Sequence, residues 1–144
     1  MSNCPKIFIW LNRSRAGGAA VSGAPVMTES GTTHGRLAFP SDHPLNGQGL
    51  PLWSPEVRDR LADFDVLLVT GMDLFRQYIY HEPARAIPEH IQLVHLDEDP
   101  WQLGKNYPVA VGLWGHTREG LEELAELLGQ RMTAQQVQQA QQRV

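Results

Sequence analysis

Three stretches combine turn residues with polar chemistry, and each follows an apolar run: Gly71-Met72-Asp73, Asp97-Glu98-Asp99 and Gly115-His116. In open parallel sheets, ligands bind beyond the carboxyl ends of the strands. A glycine at such an end lets the chain turn sharply and lets a ligand approach the backbone. An acidic residue there can accept hydrogen bonds from ribose hydroxyls. Gly71, Asp97 and Asp99 are therefore the candidate cofactor-binding residues, and adenine-nucleotide binding is the chemistry they suggest. The local reading competes with it: Gly71 makes a turn, and Asp97 or Asp99 caps the next helix. Stronger phosphate signatures are missing. Gly71 is followed by Met72, Asp73, Leu74, Phe75 and Arg76, which departs from G-x-G-x-x-G. Gly104-Lys105 is followed by Asn106, which breaks the Walker pattern.

Other chemistries find less support. Six histidines (His34, His43, His81, His90, His95 and His116) invite a metal reading. None forms an H-E-x-x-H pair, and the lone Cys4 offers no thiolate partner, so no metal ligand is assigned. His95 lies inside an apolar run and reads as a core residue. Asp42-His43 could orient an imidazole, but in a proline-rich stretch it reads as turn chemistry. No G-x-S-x-G elbow occurs. Tyr78, Tyr80 and His81 either line a pocket or pack beneath a loop. No catalytic residue is assigned.

The elements that must position these residues follow a β/α rhythm. Residues 5–11 and 24–29 read as strands. Residues 65–71 contain Val66, Leu67, Leu68 and Val69 without polar alternation, which indicates a strand covered on both faces. Residues 91–96 and 109–113 read as two more. Residues 12–23 are short and glycine-rich for a crossover, with a weak helix at 15–22. Residues 36–51 form a long irregular stretch that Leu52 and Trp53 would pin. Ser54 and Pro55 open a helix over 55–62, with Val57, Leu61 and Phe64 on one side. Asp99 and Pro100 open a short helix through Gly104. Thr117 opens a final one, with a stripe of Leu121, Leu124, Ala125 and Leu128. The expected fold is α/β and Rossmann-like, a mostly parallel sheet with helices on both faces in three layers. The expected organisation is 1–23 as first strand and atypical crossover, 24–129 as the central Rossmann-like domain, and 130–144 as a glutamine-rich tail or linker.

The 144 residues fit one domain, and 42% hydrophobic with 19% charged residues is ordinary for a globular chain. A net charge of −4 gives no footprint for nucleic acid. No apolar run approaches the roughly 20 residues of a membrane helix. A single cysteine suits a reducing compartment, so a cytoplasmic protein is expected.

Three stretches together resemble one family. They are 35–45 (GRLAFPSDHPL), 65–71 followed by Phe75-Arg76, and 93–104 (LVHLDEDPWQLG). They resemble the central domain of thiamine-diphosphate-dependent enzymes of the acetolactate synthase and benzoylformate decarboxylase type. The resemblance covers residues 24–128, and Phe75-Arg76 leans toward the benzoylformate decarboxylase branch. It implies a six-stranded, largely parallel domain set between two catalytic domains that hold thiamine diphosphate and Mg²⁺. Some members hold FAD or ADP in the central domain and others nothing; the acidic segment of that site maps onto residues 97–99. In the benzoylformate decarboxylase branch, a histidine after Phe-Arg reaches toward the active site. Here Tyr78 stands in that place, with His81 three residues on.

The family's Gly-Asp-Gly motif and paired asparagines are both missing from this sequence. What the resemblance implies is thus a central, non-catalytic structural domain of a 2-oxo-acid decarboxylase or synthase. As an isolated fragment it is expected to be inactive and to hold no cofactor of its own. Its expected partners are the parent's catalytic domains, with homo-oligomer contacts besides. The second reading is a free-standing module binding FAD or ADP. A third, a small independent hydrolase, has no constellation to support it.

Overall fold

The computed structural model of the protein describes residues 7–11, 26–28, 42–46, 51, 53–71 and 85–142. The elements are β1 (Ile7–Leu11), β2 (Val26–Thr28), α1 (Ser54–Leu61), β3 (Val66–Thr70), β4 (Gln92–Asp97), β5 (Val111–Trp114), α2 (Thr117–Arg131) and α3 (Ala134–Gln141). A 3₁₀ turn, Pro100–Gln102, stands between β4 and β5. The predicted helix at 15–22, Leu52, Tyr78, Tyr80, and His34 and His81 lie outside the described residues, as do Phe75 and Arg76.

Among the described residues the sheet has five strands in the order β2-β1-β3-β4-β5, all parallel. The resemblance implies a sixth. β3 is central, paired with β1 on one side and β4 on the other. Its Leu67, Leu68, Val69 and Thr70 are all buried, as a run without polar alternation requires.

Register explains how the layers form. Leu67 lies beside Leu93 and Val69 beside His95, while Leu68 lies beside Val94 and Thr70 beside Leu96. Side chains alternate across a strand, so the first set shares one face and the second set the other. On the first face Leu67, Val69 and Leu93 join Val57 and Leu61 of α1 in one apolar cluster. Ala86, Ile87 and Ile91 close that cluster, with Phe64, Tyr107 and Val109 at its margin. On the second face α2 approaches β4 closely. A Cβ added at Gly120 would stand 2.8 Å from a methyl of Leu96, so the missing side chain sets the helix–sheet distance here. With α1 on one face and α2 on the other, the fold is a three-layer α/β sandwich, as expected from the sequence.

Several boundaries move. α1 begins at Ser54 itself, which is buried, and Trp53 takes the extended cap conformation; its carbonyl accepts from Val57 N at 3.1 Å. The 3₁₀ turn stops at Gln102, because Leu103 is extended and Gly104 has φ +72°. α2 also begins one residue early, at Thr117, with His116 in the cap position. Its stripe is placed as the spacing predicts: Leu121 is buried, Leu124, Ala125 and Leu128 are half-buried, and Glu119, Glu122, Glu123 and Glu126 face solvent. α2 runs through Gln130 and Arg131 into the glutamine-rich segment. α3 follows, opened by a capping box in which Thr133 and Gln136 bond each other's backbone. No residue of α3 is buried.

Candidate functional site

The three predicted site residues do come together at the carboxyl edge of β3 and β4. Gly71 directly follows β3 with φ +60°, a conformation that glycine adopts without cost. Its N–H donates to the Leu96 carbonyl at 2.9 Å, which aligns the two strand ends. Asp97 is the last residue of β4 rather than the first beyond it, and it is buried. Its Oδ1 accepts from Asp99 N at 2.8 Å. Its Oδ2 lies 3.7 Å from Nε2 of the fully buried His95. Asp99 caps the 3₁₀ turn: Oδ1 accepts from Trp101 N at 3.0 Å, and Oδ2 from Gln102 Nε2 at 3.4 Å. Both carboxylates thus serve their own loop.

Glu98, between them, has a role that the sequence does not announce. Its Oε1 accepts from Thr117 N at 3.4 Å and from Thr117 Oγ1 at 3.3 Å, and stands 3.8 Å from His116 Nε2. A helix N-terminus favours an anion, and Glu98 supplies one from the neighbouring loop. The partners are 19 residues apart, with no local pattern to link them. Beside Gly71, the buried Thr70 hydroxyl has no hydrogen-bond partner among the described residues.

The other candidates settle into structure. His43 Nδ1 accepts from Leu45 N at 3.1 Å, and the His43 carbonyl accepts from Asn46 N at 2.8 Å; both are turn contacts. His90 Nε2 lies 3.1 Å from the Phe64 carbonyl, which requires that nitrogen to donate. Among the described residues no group of three or more His, Cys, Asp or Glu side chains could hold a metal ion. No helix among them is long and apolar enough to cross a membrane.

At the opposite, amino edge a pocket is lined by Arg85, Ile87, Glu89, Ile91, Tyr107 and Pro108 among others. Burial pushes the half-buried Tyr107 phenol above its ordinary pKa, so it stays neutral. Arg58 of α1 braces this edge, donating to the Arg85 carbonyl at 3.0 Å and to Glu89 Oε2 at 2.7 Å.

A match to the family "thiamine pyrophosphate enzyme, central domain" spans residues 19–124. The chain belongs to that family. Among solved structures, it is similar to a protein from Mycobacterium smegmatis assigned to the thiamin diphosphate-dependent enzymes. The identity is 30% and the TM-score 0.69, over 84% of this chain and 24% of that one. It is also similar to the thiamine diphosphate-dependent 4-hydroxybenzoylformate decarboxylase of Rhodococcus jostii RHA1, at 25% identity and a TM-score of 0.71, over 85% and 24%. The benzoylformate decarboxylase of Polynucleobacter necessarius, at 21% identity and a TM-score of 0.66 over 85% and 24%, shares the fold. No curated protein matches the chain. This central domain spans about a quarter of the length of the structures it resembles.

Proposed function

We propose that this chain is the structural spacer of a thiamine-diphosphate-dependent 2-oxo-acid decarboxylase or synthase of the benzoylformate decarboxylase type. Thiamine diphosphate and Mg²⁺ belong, on this reading, to the catalytic domains that are its partners, and the chain by itself is inactive. The observation that carries the reading is the self-satisfied carboxyl edge. Asp97 and Asp99 hold their own loop, and Glu98 occupies the N-terminus of α2. On this reading the described part of the edge commits its carboxylates to holding the loop and the start of α2, which suits a domain that sets position between others. The test is direct. Purified chain supplied with Mg²⁺ and thiamine diphosphate should release no CO₂ from benzoylformate or pyruvate above the protein-free rate. Measurable decarboxylation would end the spacer reading.

A second reading, an adenine-nucleotide module, is favoured by the left-handed Gly71 and by the buried Thr70 hydroxyl at the same strand end, which has no hydrogen-bond partner among the described residues. It expects FAD or ADP to raise the melting temperature, through Gly71, Asp97 and Asp99, and Asp97→Asn to diminish that shift. No shift at millimolar nucleotide removes it.

A further inference from the structure

We draw no further inference here: the strongest candidate, the amino-edge pocket between Arg85, Glu89 and Tyr107, carries none, because Glu89 is already bound to Arg58 and nothing in the structure shows what covers the apolar floor of Ile87, Ile91 and Leu93.

Discussion

Two carboxylates of the acidic triplet do different amounts of structural work, and substitution separates them. Asp99 is an exposed N-cap whose Oδ1 accepts from Trp101 N. Asp99→Ala should cost about 1 kcal/mol, the usual value of such a cap. Asp97 is buried at the end of β4, and its Oδ1 is the acceptor for Asp99 N. Asp97→Ala removes that acceptor from an inner position and should cost more, about 1–3 kcal/mol. Asp97→Asn keeps an acceptor oxygen and should cost less than alanine. Urea unfolding of the three variants gives the order; if Asp99→Ala proved the costliest, the inner carboxylate would not be the anchor of this loop. The sequence placed both aspartates at a strand end and offered capping as one role, which Asp99 fills. Glu98 was unreadable because its partner, Thr117, lies a whole strand away.

The elements were legible where periodicity is strong and illegible where a boundary depends on one dihedral. β3 reads from four consecutive apolar residues, and α1 from Val57 and Leu61 at i and i+4. The starts of α1 and α2 each slip by one residue, since Ser54 and Thr117 look like caps but take helical positions. The close approach of α2 to β4 was invisible, because a helical glycine reads only as a weak helix former. Two glycines of α2 make that measurable. Gly129 has open space around it, so Gly129→Ala should stabilise the protein by about 0.5–1 kcal/mol through helix propensity. Gly120→Ala has the same intrinsic gain but drives its methyl into Leu96, so it should be destabilising. Thermal unfolding of both variants decides; equal stabilisation would mean that α2 sits farther from the sheet. The brace from α1 to residues 85–89 has a pH signature. The hydrogen bond from Arg58, with attraction to its charge, holds the Glu89 carboxyl below its ordinary pKa. A folded-state value below the unfolded one makes the contribution full above the ordinary range near ~4.3 and lost as pH falls through the lowered value. The stability difference between wild type and Glu89→Gln should therefore shrink toward zero on acidification. A difference that persists at low pH would assign it to packing instead of charge.

At the scale of the molecule, the described sheet order and both helical layers rest on one central pair, β3 and β4. Residues 54–121 supply nearly all of the described core. The family resemblance was legible in 35–45, in 65–71 with Phe75-Arg76 and in 93–104, because motif order survives divergence. The C-terminal end carries the remaining test of how load is shared. α3 has a capping box yet none of its residues is buried, and its Val137 is exposed. A capped eight-residue helix with no buried residue is marginal in water, since most helical stability comes from packing. Truncation after Met132 should therefore change the free energy of unfolding by less than about 0.5 kcal/mol, the size expected of surface changes. The far-UV signal should fall only modestly. Truncation before Leu121 should instead remove the residue that seals α2 onto the sheet, and with it the second face. Denaturant titration of the two truncated chains separates these cases. A large loss from the first cut would show that α3 docks on the domain, and that the glutamine-rich segment carries part of its stability.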